Sequence, residues 1–350
     1  MTSAFSALLL GLALLGPVPA RAERPITTPA PEFPAGAAWI NSEPFSLERL
    51  RGRRVVVLAF LNANSGAALR ALEPVRRWWN RYALDGLMVI GVHSPDYSFA
   101  RDPAWARRTY RSLDVRFPVL LDTQRRLWKD FANEGWPALY LIDEKGRVVF
   151  DRLGEGGSAE FERELLAALE RFNGYRSTET VKDPPARDDC GVATRPLYLG
   201  ARRGVKTVLI SSRRHNALVD SRDGEVALGG EWSPEPDALR SAGPGTARLQ
   251  AVYRGAEAFA VFSHAERRPL RVFVKQDNLW LHTGNAGTDV RWDGDDQSYV
   301  DVASPRMYSL VRNRRPGVHE VQLSVDDAGL AVHGLEFPDY CQTDFIRAKP

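Results

Sequence analysis

Cysteine is scarce in this chain of 350 residues: there are two, Cys190 and Cys341, and the first 189 residues contain none. Thiolate chemistry therefore cannot arise from side chains of the N-terminal half. If the protein is exported, an even pair favours a structural disulfide between Cys190 and Cys341, which would join the two ends of the C-terminal half. Two unpaired thiols are the alternative.

An excess of one charge sign is also missing, because 47 Lys and Arg balance 44 Asp and Glu to a net charge of +3. Basic pairs such as Arg53-Arg54 and Arg107-Arg108 are scattered, which is typical of solvated faces and argues against a nucleic-acid partner.

Metal-ligand spacing is absent as well, since the six histidines form no HExxH motif, and we expect neither a metal nor another cofactor. Four acidic residues around a turn could hold Ca²⁺ through hard oxygen ligands. Their spacing does not match an EF-hand loop, so a solvated hairpin turn is the favoured interpretation. These residues are Asp289, Asp293, Asp295 and Asp296.

Long apolar runs occur only at the start of the chain. The run Leu8–Leu15 precedes the small-x-small sequence Ala20-Arg21-Ala22, so residues 1–22 are predicted to be a secretory signal peptide, although Met1-Thr2-Ser3 carries no Lys or Arg. The run is short for a membrane span. We expect an exported, periplasmic or extracellular protein, with a retained N-terminal anchor as the alternative.

Composition divides the remainder into four parts. Residues 23–38 are rich in Pro, Thr and Ala and are predicted to be an extended linker, with order beginning near Trp39. Residues 39–172 alternate apolar strand patterns with helical patterns, which predicts an α/β domain around a mixed sheet. The polar segment 173–189 is a second predicted linker, and residues 190–345 form the C-terminal part.

The C-terminal part has a different pattern. Short alternating runs are separated by turn residues about every ten positions, as in Thr207–Ile210, Ala247–Tyr253 and Leu270–Val274. No helical period persists over ten residues. The pattern predicts an all-β, jelly-roll-like sandwich.

The centre of the N-terminal part is the stretch Arg54–Arg70, RVVVLAFLNANSGAALR. Val55–Phe60 reads as a buried strand, Asn62–Gly66 as a short polar turn, and the apolar spacing from Leu69 onward as a helix. A helix that follows a strand in this way presents its N-terminal amides at the turn, where they can hold an anion or a peptide carbonyl.

Three segments resemble the thioredoxin superfamily, in its exported TlpA-like and redoxin-like branch: PFSLERLRGRRVVVLAF (44–60), LDGLMVIGVHSPD (84–96) and GWPALYLIDEKGRVVFDRLGEG (135–156). Trp136-Pro137 stands where that family keeps a cis-proline facing the redox turn. YVDVASPRMYSLV (299–311) and HEVQLSVDDAGLAVHGLEF (319–337) extend the resemblance to the soluble part of DipZ-type proteins. In those proteins a thioredoxin domain precedes a sandwich similar to carbohydrate-binding modules, which implies a separate membrane protein as a possible partner here.

The chain departs from this family at the redox motif. Alignment on Phe60 and on Leu69-Arg70 places the two cysteines of the family's Cys-x-x-Cys at Ser65 and Ala68. Thiol–disulfide exchange needs an attacking thiolate and a second thiol, and this domain has neither. Ser65 as a nucleophile would need an adjacent base. His93 is the one histidine of the domain, and we interpret Ser65 as a helix cap and His93 as an ordinary strand-end residue.

We therefore expect a non-catalytic binding or scaffold protein of the cell envelope. Its ligand would be a polypeptide held near Trp136 and Pro137, or a glycan stacked on exposed aromatics, for which Trp280 and Trp292 are better candidates than Trp232 and Tyr299. Packing within the sandwich core is the simpler interpretation of each of these aromatics. The alternative function is thiol–disulfide or redoxin-type activity in envelope redox homeostasis through Cys190 and Cys341.

Overall fold

A computed structural model describes residues 28–177, 192–202, 222–243, 245–265 and 268–338. The predicted signal peptide, both cysteines and the predicted strand Thr207–Ile210 lie outside these ranges. Among the helices within them, none is long and apolar enough to cross a membrane.

The N-terminal domain alternates strands with helices in the predicted order. Two 3₁₀ turns, Glu48–Leu50 and Phe99–Arg101, interrupt its loops. Its strands are β1 (Thr28–Pro29), β2 (Ala38–Ile40), β3 (Val55–Leu61), β4 (Leu87–His93), β5 (Val119–Leu121), β6 (Ala138–Ile142) and β7 (Arg147–Leu153), and its helices are α1 (Gly66–Tyr82), α2 (Pro103–Ser112), α3 (Arg126–Asp130) and α4 (Ser158–Asn173).

These strands form one mixed sheet in the order β1-β7-β6-β3-β4-β5-β2. The three central strands β3, β4 and β5 run parallel, whereas β6 and β7 are antiparallel to their neighbours. Every residue of β3 is buried, because hydrophobic clusters cover both faces of the sheet. This explains why β3 is a continuous apolar run rather than an alternating one.

The segment before Trp39 corrects one prediction. Residues 28–38 pack on the domain instead of forming a free linker: β1 pairs with β7, and Ala30 and Phe33 are buried. The Glu32 carboxylate accepts hydrogen bonds from the backbone N–H groups of Leu47 and Glu48. Proline-rich composition indicated an extended backbone correctly, but the partners that hold it are distant in sequence.

Helix starts agree with the sequence in part. Asp102 caps α2 by accepting a hydrogen bond from Ala104 N–H at 2.9 Å, as its position before Pro103 predicts. Ser158, just before the helical pattern Glu160–Phe172, also predicts a cap. In the structure Ser158 is the first residue of α4, and Gly157 occupies the cap position with φ +65°. Glycine tolerates this left-handed conformation at little cost.

The C-terminal part is all-β, which confirms the predicted sequence of an α/β domain followed by β structure. Its strands form one antiparallel sheet in the order β10-β11-β18-β12-β17-β13-β16-β15, with β8, β9 and β14 pairing at β18, β12 and β13. The strands are β8 (Leu197–Tyr198), β9 (Val226–Gly229), β10 (Trp232–Pro234), β11 (Leu239–Ser241), β12 (Ala247–Ser263), β13 (Leu270–Gln276), β14 (Leu279–Trp280), β15 (Arg291–Trp292), β16 (Ser298–Val302), β17 (Arg306–Val325) and β18 (Ala331–Glu336).

Two long strands connect this sheet. The sequence pattern predicts separate strands on either side of residues 254–257 and of residues 312–318. In the structure each pair of runs is one continuous strand, β12 and β17, and these two strands pair over most of their length. The register of this ladder shifts at bulges between Gly255 and Glu257 and between Ala258 and Phe259, where the sequence pattern breaks. The inward side chains form one hydrophobic cluster, and the jelly-roll-like sandwich remains a prediction.

Candidate functional site

The turn between β3 and α1 (Asn62–Ser65, called the β3–α1 turn below) lies where the sequence places it. Ser65 is the N-cap residue of α1 with extended backbone (φ −127°, ψ 124°), and Ala68 lies buried in the first helical turn. Phe60 pairs with Ala138, so the cis peptide Trp136–Pro137 lies beside the end of β3. Strand, turn, helix and cis-proline thus have the arrangement expected of a thioredoxin fold.

The first helical amide is bound by the other domain. Gly66 N–H donates a 2.8 Å hydrogen bond to the carboxyl Oε2 of Glu336, the last residue of β18. The Ser65 side chain adds a hydrogen bond to the same carboxyl instead of capping its own helix. A Cβ added to Gly66 would lie 3.3 Å from Pro338 Cγ and 3.6 Å from Phe259 Cε2, so the C-terminal domain covers the turn closely.

Glu336 lies in a buried environment that disfavours its charge. Burial raises its pKa to about 8, and the negative charge of Asp96 acts in the same direction. The hydrogen bond from Gly66, the positive charge of Arg70 and the hydrogen bond from Ser65 oppose this rise without cancelling it. The carboxyl is therefore largely protonated at neutral pH, unlike an ordinary glutamate.

An arginine one turn into α1 joins three elements. Arg70 binds Glu155, which precedes α4, through two nitrogens, and its Nη1 donates to Glu257 Oε2 on β12 at 3.0 Å. Glu257 is buried, and Arg312 Nε on β17 lies 3.7 Å from its other oxygen. This network fixes α1 relative to the C-terminal domain with charges that are mostly withdrawn from water.

An aromatic cluster lies beside the turn. Tyr97 and Phe99 stack with ring centroids 5.8 Å apart, and His333 on β18 contacts both rings at 5.3 and 5.0 Å. Val261 and Met307 extend the cluster within the C-terminal domain. Burial lowers the pKa of His333 to about 4, so the ring is neutral at physiological pH and packs as an aromatic.

Two direct hydrogen bonds complete the contact between the domains. The Trp105 indole N–H donates to the carbonyl of Pro305 at 2.7 Å, and Ser98 N–H donates to the Asp237 carboxylate at 2.8 Å. Both donors belong to the segment from β4 to α2. The C-terminal domain therefore holds the side of the thioredoxin domain that presents the β3–α1 turn.

Two asparagines of the turn are buried without complete hydrogen bonding. Among the described residues, no group binds Asn62 Nδ2 or either polar side-chain atom of Asn64, although Asn62 Oδ1 accepts from Asn64 N–H at 2.9 Å. Such buried polar atoms are costly and uncommon in folded proteins. The β3–α1 turn therefore has polar side-chain atoms in its buried interior, in addition to the backbone N–H groups at the start of α1.

His93 does not serve Ser65 as a base. Its Nδ1 contacts the Tyr110 hydroxyl at 2.9 Å and its Nε2 contacts the carbonyl of Ala100 at 2.8 Å, so both ring nitrogens are engaged elsewhere. Burial lowers its pKa to about 4. The interpretation of His93 as a structural strand-end residue agrees with this geometry.

The proposed peptide contact near the cis-proline is partly occupied. Pro137 is buried, and its carbonyl accepts a 2.8 Å hydrogen bond from Gly154 N–H. Trp136 is half-buried, with its ring 4.4 Å from that of Trp128 and the Arg125 guanidinium 4.8 Å above it. The exposed part of Trp136 is the more accessible of the two predicted residues.

The two predicted glycan platforms differ in their surroundings. Trp292 packs against the core of the C-terminal domain and donates its indole N–H to the carbonyl of Leu281 at 2.7 Å. Trp280 is half-buried beside Phe273, with Lys275 Nζ 4.1 Å from its ring centroid. Of these two residues Trp280 offers the better ring face, although a sugar would have to displace the Lys275 ammonium.

Several acidic residues at turns form local hydrogen bonds or ion pairs. Asp122 accepts from the backbone of Leu127 and Trp128, Asp143 pairs with Arg147, and Asp289 pairs with Arg306. Within the described ranges, no three His, Cys, Asp or Glu side chains lie close enough together to hold a metal ion.

Sequence reasoning missed Glu336. One signal was available: Glu336 is the only charged residue in the run Leu330–Phe337, LAVHGLEF, every residue of which is buried. A single carboxyl inside such a strand indicates a specific partner, but the sequence does not identify that partner as Gly66.

The geometry defines a protein with a thioredoxin-like domain of the redoxin type, joined to an all-β domain. Known sequences agree: the profile of the AhpC/TSA family matches residues 26–150, and a profile described as a thioredoxin-like C-terminal domain matches residues 194–337. Each profile covers less than half of the chain. The resemblance stated from the sequence is confirmed.

The chain is similar to several known proteins. Protein DipZ of Mycobacterium bovis is 35% identical over 130 residues, which cover 36% of this chain and 19% of DipZ. The thiol-disulfide oxidoreductase YkuV of Bacillus subtilis is 28% identical over 141 residues, which cover 40% of this chain and 94% of YkuV. A thiol-disulfide isomerase structure from Corynebacterium glutamicum is 24% identical, with a TM-score of 0.37, over 40% of this chain and 96% of that one. The chain spans about a fifth of the length of DipZ.

Proposed function

We propose that this protein is a non-catalytic binding protein of the cell envelope, in which a thioredoxin-like domain without redox cysteines holds a C-terminal β domain. One observation carries the proposal. At the position of the redox motif, the Gly66 amide and the Ser65 side chain bind Glu336 of the same chain.

The chemistry of the turn supports this function. Thiol exchange needs a thiolate at the helix N-terminus, and residues 65 and 68 are serine and alanine. A serine nucleophile needs a base, and His93 has both ring nitrogens engaged elsewhere. Phe259 and Pro338 also lie within 4 Å of a Cβ placed on Gly66, which hinders the approach of a client disulfide.

The ligand that we propose is a polypeptide or a glycan of the envelope, with export directed by residues 1–22. The exposed part of Trp136 would contact a polypeptide, and Trp280 is the preferred residue for stacking a sugar. A separate membrane protein is a possible partner, proposed from the resemblance to DipZ-type proteins.

Insulin reduction tests the absence of redox catalysis. The purified mature chain should give no turnover above the dithiothreitol background, and the Cys190→Ala/Cys341→Ala variant should behave identically. YkuV serves as the positive control. Turnover that disappears in the double variant would instead support the alternative, a thiol–disulfide oxidoreductase that uses Cys190 and Cys341.

Ligand binding is tested with two matched comparisons. On a glycan array the wild type should give a binding signal and Trp280→Ala should not. Trp232→Ala is the control for removal of another half-buried tryptophan.

Cross-linking in intact envelopes, with the wild type compared with Pro137→Ala and Trp136→Ala, identifies a polypeptide ligand. Equal recovery of the same polypeptide by all three chains would contradict a contact at Trp136 and Pro137.

A further inference from the structure

The contact between Glu336 and the β3–α1 turn combines three features. The carboxyl is buried between two domains, it accepts the first free amide of a 17-residue helix at 2.8 Å, and a second carboxylate, Asp96, lies near it. Burying two carboxyl groups together favours protonation of one of them. Separation of the domains would return Glu336 to water, where its carboxyl ionises readily.

We propose that the N-terminal end of α1 is a carboxyl-binding site, occupied by the chain's own Glu336, and that the two domains dock more tightly when this carboxyl is protonated. Because Glu336 belongs to the same chain, this proposal holds whichever external ligand the protein binds.

The residues around Glu336 favour its protonated form, because the positive charge near it does not fully neutralise its carboxylate. The groups facing it from α1 and from the segment after β4 are Arg70 and Asp96. Arg70 is itself bound by two carboxylates, Glu155 and Glu257, so its positive charge only partly offsets a charge on Glu336. Arg312 lies against Glu257 on the far side.

The direction of the pH effect follows from linkage. Burial raises the pKa of Glu336 in the docked state to about 8 from an ordinary value of 4.5. Docking therefore takes up a proton at Glu336 between these two values, so the contribution of this carboxyl to docking is largest below pH 4.5 and is lost as the pH rises to about 8. Burial lowers the pKa of His333 in the same contact from 6.5 to about 4, so this ring contributes the opposite change between these two values, and above pH 6.5 the change in docking is due to Glu336.

Hydrogen exchange on the full chain tests this inference, because docking protects the Gly66 amide. Protection of residues 65–70, corrected for the intrinsic pH dependence of exchange, should fall between pH 6.5 and 8 by up to about tenfold per pH unit. Glu336→Gln keeps an oxygen for Gly66 N–H and has no proton to lose, so its protection should not change over this range. Glu231→Gln, an exposed glutamate of the same domain, should follow the wild type.

Two results would overturn the inference: wild-type protection that does not change with pH, or a Glu336→Gln variant that keeps the wild-type slope. If Glu336→Gln does not fold, carbon NMR of the glutamate-labelled wild type replaces it. A carboxyl signal that titrates near pH 8 and is close in space to the Gly66 amide supports the proposal. Titration of that carboxyl near pH 4.5 contradicts it.

Discussion

The backbone N–H of Gly66 and the carboxyl of Glu336, 270 positions apart in sequence, are joined by a hydrogen bond of 2.8 Å. This bond connects the first residue of the helix that follows the predicted redox turn to the last residue of the last described strand. The turn is therefore part of the boundary between the two domains. The following predictions test how much that boundary contributes to the stability of the protein.

Removal of Arg70 should weaken the contact between the domains. Arg70→Ala removes the cation that lies 3.0 Å from buried Glu257, whereas Arg312 lies 3.7 Å away, and loss of one partner from a buried pair costs on the order of 3 kcal/mol. Urea unfolding measures the change in the free energy of unfolding. Arg77→Ala, which breaks an exposed pair with Glu73 on the same helix, should cost less than about 0.5 kcal/mol. Equal costs for both variants would show that the Arg70 network contributes little.

Truncation of Phe259 should loosen the cover over the turn. Phe259 is half-buried on β12 and would lie 3.6 Å from a Cβ on Gly66, so Phe259→Ala should cost about 2–3 kcal/mol through lost packing. Calorimetry should then separate the unfolding of the two domains. Phe273→Ala, a half-buried phenylalanine on β13 that packs on Trp280 and Tyr299, is the control and should leave the separation of the transitions unchanged.

His93 should make the N-terminal domain less stable in acid. Burial lowers its folded-state pKa from 6.5 to about 4, so the unfolded chain gains a proton first as the pH falls through this range. The stability that is present above pH 6.5 should therefore be lost toward pH 4, by at most about 1.4 kcal/mol per pH unit.

The variant His93→Phe measures this contribution. Its unfolding free energy should depend less on pH than that of the wild type between pH 6.5 and 4, and the difference between the two curves removes the contributions of His333 and Glu336. His282→Gln, at an exposed histidine, is the control. Parallel curves for His93→Phe and the wild type would refute the prediction.

Cysteines introduced at positions 65 and 68 should show how accessible the β3–α1 turn is to a reagent in solution. In a Cys190→Ala/Cys341→Ala background, the thiols of Ser65→Cys/Ala68→Cys should react slowly with a maleimide, because reaction requires the domains to open. Addition of Phe259→Ala should accelerate the reaction by at least about tenfold, in proportion to the larger open fraction. Fast reaction without that substitution would mean that the turn is accessible in the native protein.

The central elements of the N-terminal domain were predictable because local pattern determines them. The apolar run Val55–Phe60 predicts the buried strand observed as β3, and the apolar spacing after Gly66 predicts α1. Residues 28–38 were not predictable, since their partners Leu47 and the β7 strand are distant in sequence and composition carries no information about docking. The two long strands β12 and β17 were divided for a related reason: bulges shift the alternation on which strand prediction depends.

The sequence by itself determined what this protein lacks: with serine at 65, alanine at 68 and no cysteine before 190, the thioredoxin-like domain has no thiol to exchange. Only the tertiary structure decided what occupies the turn instead. Glu336 reaches Gly66 because β18 ends at the β3–α1 turn, and burial between the domains, which no local pattern encodes, gives its carboxyl a raised pKa. The chemistry of a side chain follows from its identity, whereas its protonation and its partner follow from the residues that folding places around it.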